Sequence, residues 1–160
     1  MIKRWVTTSA VLGVVALTAG SIGPAMGSGG SRHGSGHEHR VRVQSTNTEE
    51  NFLDLGTSGP SLGDQFVFAS DLTRHGRMVG HTGVVCTLTS VARDESQCLG
   101  TAWFDHRGQI TIQGLVAGQP ETFDFAITGG TGAFDGADGR LVVRELADNP
   151  TRELLTFYLS

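Results

Sequence analysis

Basic residues, cysteines and long apolar runs are scarce in this sequence, and each shortage removes a class of function. The chain has 12 Lys and Arg against 16 Asp and Glu, a formal charge of −4, so it offers no basic surface for nucleic acid or an anionic membrane. The zinc-binding motif H-E-x-x-H is absent. After residue 27 no run is apolar enough to span a bilayer, so we expect a soluble mature protein.

The N-terminus has the three-part layout of a secretory signal peptide. A basic start (Lys3, Arg4) precedes the uncharged apolar run 5–19, and the small residues before Ser28 make a suitable peptidase site. The run is shorter than the roughly 20 residues that a spanning helix needs, although an uncleaved anchor is the alternative. We assign residues 1–27 as a signal peptide and expect a secreted, extracellular protein.

Residues 28–40 form a flexible linker by composition, since the segment SGGSRHGSGHEHR has almost nothing to bury. Its side chains His33, His37, Glu38 and His39 are of the types that suit zinc or copper. A flexible segment, however, has no surrounding contacts to fix ligand geometry. We therefore expect a solvated tail and predict neither a metal site nor a cofactor.

The remaining domain, residues 41–160, alternates polar and apolar positions with period two, which predicts β-strands and no helix. Turn residues separate the strands, and short strands joined by short turns describe an antiparallel meander, which hides its edges by closing on itself. The sequence therefore predicts an all-β fold, an eight-stranded antiparallel up-and-down β-barrel of the calycin type. The predicted strands are Val41–Thr46, Asp64–Thr73, Met78–Val91, Ser96–Asp105, Gln109–Val116, Thr122–Thr128, Arg140–Leu146 and Arg152–Leu159.

The alternation also predicts an apolar interior. Phe66, Phe68 and Ser70 share one face of their strand, and Ile112 and Val116 share one face of another. An eight-stranded barrel is just wide enough to be packed solid or to hold one small ligand. Small residues on the apolar face favour a cavity, and these are Gly100, Ala102 and Gly114.

The two cysteines, Cys86 and Cys98, fall on consecutive predicted strands. If the hairpin turns around Ala92, their side chains lie opposite each other on one face. In an oxidising compartment two such thiols join, and the short loop then stabilises the fold by about 3 kcal/mol in the entropic model. We predict a disulfide; the alternative is a free, reactive Cys86 in the pocket.

The glycine-rich segment Gly129–Gly139 is predicted to be a tight structural loop. Its spacing differs from G-x-G-x-x-G, it lacks the Lys-Ser/Thr pair of a P-loop, and a strand follows it, so nucleotide binding is disfavoured. We expect glycines at positive φ and Phe134 tucked against the barrel end. Isolated acidic and histidine side chains near strand ends, such as Asp64 and His81, are expected on the solvated surface.

Three sequence blocks in the second half of the chain carry a family resemblance. These are GQITIQG (108–114), FAITGGTGAFDGADG (125–139) and TFYL (156–159), and upstream Leu62-Gly63-Asp64 also fits. The chain from Leu62 onward closely resembles the plant allene oxide cyclases and, more loosely, the dirigent proteins. Both groups share an eight-stranded barrel, so the resemblance implies the same fold as the alternation.

The resemblance implies an apolar pocket that holds a reactive intermediate in a cyclising conformation, so that catalysis is mainly positioning and confinement. Phe68 and Cys86 match pocket-lining positions of the cyclases, Ser70 stands where the family has asparagine, and Val116 where it has tyrosine. The family's first-strand glutamate has no counterpart in Val41–Thr46. No catalytic residue is assigned. The candidate ligand-pocket residues are Phe66, Phe68, Ser70, Cys86, Ile112 and Val116.

Three functional interpretations stay open at this stage. The first is an enzyme, an isomerase or cyclase (or a dirigent-type steering protein) acting on a hydrophobic intermediate. The second is a non-catalytic, lipocalin-like binding protein, and the third is a structural extracellular module. An interior filled by phenylalanines would favour the third, an open cavity would favour the first two, and a polar group inside, such as Ser70 or an inward Arg144 or Glu145, would favour an enzyme.

The expected partner is a hydrophobic small molecule, fatty-acid-derived, phenolic or polyketide-like, and no nucleic acid or membrane after signal cleavage. The related barrels are commonly trimeric, so the resemblance also implies a homo-oligomer, a trimer or a dimer. Trp103, on the predicted outer face, is a candidate for such an interface.

Overall fold

The computed structural model describes residues 39–118, 120–146 and 149–160, and they form a closed barrel of eight antiparallel strands. Each strand pairs with the next, and the last pairs with the first, which confirms the predicted all-β barrel. The described part of the chain contains no helix that could cross a membrane. The strands are β1 His39–Leu53, β2 Gln65–Arg74, β3 Arg77–Ser90, β4 Glu95–Phe104, β5 Gly108–Ala117, β6 Thr122–Gly130, β7 Gly139–Leu146 and β8 Asn149–Leu159.

Strand β1 is much longer than the predicted Val41–Thr46. Its first half pairs with β8, beginning at His39 opposite Leu159, so the last two residues of the predicted linker belong to the barrel. Its second half pairs with β2 as far as Leu53. Polar residues hide this extension from a pattern search, because the ladder supplies the backbone hydrogen bonds whatever the side chain is. The predicted signal peptide and the linker up to residue 38 lie outside the described residues.

A β-bulge in the middle of β1 changes which side chains face the interior. Asn47 pairs with Ser70, but the next pair in the ladder joins Glu49 to Ala69, so Thr48 is the extra residue. One extra residue reverses the alternation beyond it. As a result Glu50 lies opposite the inward-facing Phe68 and itself faces inward.

One end of the barrel is closed by three buried phenylalanines, which we call the aromatic floor: Phe104, Phe134 and Phe157. The ring centroids of Phe104 and Phe134 are 5.1 Å apart, and those of Phe104 and Phe157 are 5.7 Å apart in an edge-on contact. Leu72 and Ile110 beside them are completely buried. The rings fill this end at the spacing that aromatic pairs prefer.

The glycine-rich loop delivers Phe134 to the floor, as predicted. A short 3-10 helix, Gly132–Phe134, lies within the loop, and Gly132 adopts a φ of +65°. A Cβ atom at Gly132 would lie 2.6 Å from the carbonyl oxygen of Arg107, so only glycine fits. The Ala133 amide donates to the same carbonyl at 2.7 Å, which ties the loop to the β4–β5 turn.

Candidate functional site

A cavity of about 690 Å³ occupies the rest of the barrel and opens at the end opposite the aromatic floor. All eight strands contribute to its wall. The interior is therefore not filled solidly by side chains, as it would be in a purely structural module. The inner wall is mostly apolar, and its lining residues include Val84, Ala102, Ile112, Val116, Phe125, Leu141, Val143, Leu155 and Phe157.

The structure places all six residues of the predicted pocket on this lining. Ser70 is buried deep in the wall, where it lies opposite Asn47. Phe68 follows toward the opening, and Phe66 is half-exposed at the rim, with its ring 4.7 Å from that of Phe52. Period-two alternation brings them to one face, as the sequence pattern indicates.

The predicted disulfide between Cys86 and Cys98 is present and forms part of the cavity wall. The two cysteines are direct cross-strand partners on β3 and β4, because the hairpin turns around the residues midway between them. Neither cysteine is a free thiol. The bridge therefore acts as a covalent clamp on the wall, and the alternative of a reactive Cys86 is wrong.

Four carboxylates surround the opening, and we call them the acidic mouth: Glu50, Asp94, Glu145 and Glu153. All four line the cavity, and they come from β1, the β3–β4 turn, β7 and β8. Glu145 is inward-facing, whereas Arg144 lines a shallow groove on the outer surface. The sequence pattern indicates Glu145 as a candidate inward group and gives no sign of the other three.

Glu145 and Glu153 are direct cross-strand partners on β7 and β8. Partial burial raises the pKa of Glu153, and the negative charge of Glu145 raises it further. Like charges directly opposite each other in a sheet are unfavourable. Glu153 therefore holds a proton more readily than an isolated glutamate does.

Asn47 supports the mouth from the bulge in β1. Its Nδ2 donates a hydrogen bond of 2.7 Å to Oε2 of Glu50. Its Oδ1 is buried and has no hydrogen-bond partner among the described residues. A buried acceptor without a donor is costly, and a ligand with an N–H or O–H group would satisfy it. No signal in the sequence marks Asn47, because the bulge that places it is set by pairing with β2.

Asp64 is completely buried, so the expectation of a solvated side chain is wrong. Its carboxylate accepts hydrogen bonds from the Leu55 amide at 3.0 Å and the Ser61 amide at 2.7 Å, and these hold its pKa below the usual range. The Ser61 hydroxyl donates a third bond at 3.0 Å. Asp64 therefore fixes the β1–β2 loop beside the mouth and has no direct part in the cavity.

The outer surface separates charged and apolar groups. A groove on β1, β7 and β8 is lined by Arg40, Arg42 and Arg144. Trp103 is exposed on β4, as predicted, and stacks on His81 with ring centroids 6.1 Å apart. The residues of the outer groove, and the pair Trp103 and His81, do not line the cavity.

Comparison with known proteins identifies relatives of this barrel. A family model described as an allene oxide cyclase barrel like domain matches residues 39–158. The solved structure of a pyocyanin demethylase is 28% identical, with a TM-score of 0.68, and the match covers 76% of this chain and 100% of that one.

Two further solved structures share the fold at lower identity. A Diels–Alderase from Streptomyces koyangensis is 15% identical with a TM-score of 0.58, and the match covers 79% of this chain and 71% of that one. A pterocarpan synthase dirigent protein is 14% identical with a TM-score of 0.58, and the match covers 76% and 82% of the two chains.

Proposed function

Because the chain belongs to the allene oxide cyclase barrel-like family, we propose that its barrel binds one apolar small molecule and steers its cyclisation or isomerisation. The observation that carries this proposal is the 690 Å³ cavity with an apolar wall and one open end. Small-molecule sites are typically concave, mostly apolar and between about 300 and 1,000 Å³ in volume. The cavity falls within that range.

The proposed chemistry is confinement. A flexible ligand in a cavity of fixed shape loses the conformers that do not lead to ring closure, and apolar walls keep water from a reactive intermediate. The closed barrel and the disulfide in its wall favour a fixed shape. The fold shared with a Diels–Alderase and a dirigent protein is consistent with this use of the barrel.

The proposal includes export of the protein. The sequence of residues 1–27 supports a signal peptide, and the Cys86–Cys98 disulfide supports an oxidising compartment. N-terminal sequencing of the mature protein tests this part, with Ser28 as the expected first residue. Recovery of the chain with Met1 intact would contradict it.

The direct test is ligand capture. Purified protein should carry or bind an apolar small molecule at a ratio of one per barrel, detected by native mass spectrometry and by displacement of a neutral hydrophobic fluorescent probe. Phe68→Arg should abolish binding, because it places a charged side chain inside the cavity. Leu99→Arg is the matched control, since Leu99 is exposed on the outer face of β4.

Equal binding by both variants, or no binding of any apolar molecule by the wild-type protein, would contradict the proposal. Binding without any product would favour the second interpretation, a non-catalytic lipocalin-like carrier. Mass spectrometry of the recovered ligand separates the two results, because a cyclised or isomerised product differs from its precursor in chromatographic retention at the same mass.

A second candidate is turnover of an aromatic heterocycle of the pyocyanin type. The observation that favours it is the 28% identity across the whole of the pyocyanin demethylase. Incubation with pyocyanin and mass spectrometry for loss of a methyl group tests it. If pyocyanin stays unchanged while the same protein binds other apolar molecules, this second candidate is contradicted. The first candidate, cyclisation or isomerisation, is then unaffected.

A further inference from the structure

We propose that the acidic mouth makes the cavity selective for apolar molecules that carry one positive charge at an end, such as a primary ammonium group. The inference rests on the proposed function, because it names the class of ligand for the same cavity. It follows from the distribution of charge around the opening, from one unpartnered acceptor there and from the closed apolar end.

Every ionisable group on the described lining is a carboxylate. Glu50, Asp94, Glu145 and Glu153 all line the cavity, and no Lys, Arg or His among the described residues does so. Three arginines on the same strands, Arg40, Arg42 and Arg144, face the other way, because successive residues of a strand alternate between the two faces of the sheet. Arg144, next to Glu145 in sequence, lies in the outer groove.

The paired carboxylates of Glu145 and Glu153 favour a cation between them. They are opposite each other on β7 and β8, and Glu153 also lies opposite the neutral Ser45 on β1. The other two residues of the acidic mouth, Glu50 and Asp94, are acidic as well, so the mouth itself contains no positive charge to pair with Glu145 and Glu153. A bound ammonium group would reduce the repulsion between these two carboxylates and favour the ionised form of Glu153.

Asn47 supplies an independent argument for a donor-bearing head group. Its Oδ1 is buried without a hydrogen-bond partner among the described residues, while its Nδ2 is engaged by Glu50. An ammonium group has three N–H donors and no acceptor, so it satisfies both the amide oxygen and the carboxylates. A carboxylate head group, which has acceptors alone, would satisfy neither.

The same geometry disfavours an anionic ligand such as an ionised fatty acid. With its tail toward the aromatic floor, its carboxylate would lie among the four acidic groups of the mouth. With its head inward, the charge would be buried among Phe125, Leu155 and Phe157, where none of the residues that the structure describes offers a basic group to pair with it. Fatty-acid-derived ligands are therefore expected only in uncharged form.

The test compares three probes that share one apolar body: 2-naphthylmethylammonium, 2-naphthylmethanol and 2-naphthoate. Isothermal titration calorimetry on the full exported protein, at neutral pH and low salt, should show the cation binding about tenfold more tightly than the alcohol. The anion should bind more weakly than the alcohol. High salt should reduce the preference for the cation and leave the alcohol unaffected.

Variants locate the selectivity in the mouth. The double variant Glu145→Gln with Glu153→Gln should lose most of the cation preference and keep its affinity for the alcohol. Glu50→Gln should also reduce the preference, whereas its neighbour Glu49→Gln should not, because the bulge places Glu49 on the other face. In the wild-type protein the affinity for the cation should rise with pH as Glu153, whose pKa is raised, loses its proton.

The outcomes separate this inference from the proposed function. Binding of the alcohol with no preference for the cation, or a preference that survives in the double variant, overturns the inference and leaves the cavity as a binding site. Failure of all three probes to bind overturns both. Loss of the cation preference in the Glu49→Gln control would assign the effect to net charge and overturn the mouth as its source.

Discussion

The closed and open ends of this barrel are built from the same eight strands but differ in how their interior side chains are packed. At the closed end, Phe104, Phe134 and Phe157 meet at centroid distances of 5.1 and 5.7 Å and are all buried. At the open end the corresponding interior positions hold carboxylates and a half-exposed Phe66. The same alternation thus produces a packed core at one end and a solvated mouth at the other.

The two ends differ in what their interior side chains contribute to stability. Burial of apolar side chains stabilises a fold in proportion to the area removed from water. The aromatic floor therefore contributes to stability through three large buried rings. The mouth gives up that packing, and under the proposed function its polar groups contact the ligand.

The largest effect is expected from the floor. Phe157→Ala should lower the free energy of unfolding by about 3 to 5 kcal/mol, because Phe157 is completely buried and its removal leaves a void. Phe123→Ala near the mouth should cost less, since Phe123 is only partly buried. Urea unfolding of both variants measures the difference. Equal losses would show that the two ends are not energetically distinct.

The next effect comes from the clamp in the cavity wall. Replacing Cys86 and Cys98 together by serine should cost about 3 kcal/mol, by the loop-closure argument. Hydrogen exchange should then quicken on β3 and β4, while amides around the aromatic floor stay protected. A uniform loss of protection over the whole barrel would mean that the bridge stabilises both ends alike.

The sequence predicts the apolar interior, including the floor, better than the acidic mouth. Alternation alone places Phe68, Ile112 and Val116 inside, and the glycine loop predicts the position of Phe134. These features depend on local patterns of residue type. The acidic mouth depends on a bulge at Thr48 and on the register of β7 with β8, which are properties of strand pairing. A one-residue bulge leaves no mark in composition, so Glu50 could not be assigned to the interior.

Asp64 shows the same limit on what the sequence reveals. An aspartate near a strand end is usually solvated. Only the folded loop supplies the amides of Leu55 and Ser61, which donate hydrogen bonds to the buried carboxylate. The prediction of a surface role was therefore reasonable from residue type and wrong in the fold.

Asp64 and Glu153 should respond to pH in opposite directions, and Asp64 should give the larger change. Its hydrogen bonds hold its pKa low, so its contribution to stability is complete above the ordinary aspartate pKa of about 3.9 and is lost as the pH falls through the folded value. Asp64→Asn should therefore be destabilised at neutral pH, and its deficit should shrink in acid. Asp135→Asn, at an exposed position, is the control. A deficit independent of pH would contradict this account.

Glu153 should show the smallest effect and the opposite sign. Its pKa is raised by partial burial and by Glu145, so between the ordinary glutamate pKa of about 4.3 and the folded value the native state binds more protons, and stability falls as the pH rises. Glu153→Gln should remove this fall and stabilise the protein above that range by less than about 1 kcal/mol, with Glu49→Gln as the control. Thermal melts across pH measure both variants. The Glu153→Gln protein could be more stable than the wild type and also lose its preference for a cationic ligand. That result would show that the carboxylate of Glu153 serves ligand binding at a cost in stability. A destabilised variant would instead make Glu153 a structural residue and remove the contrast between the two ends.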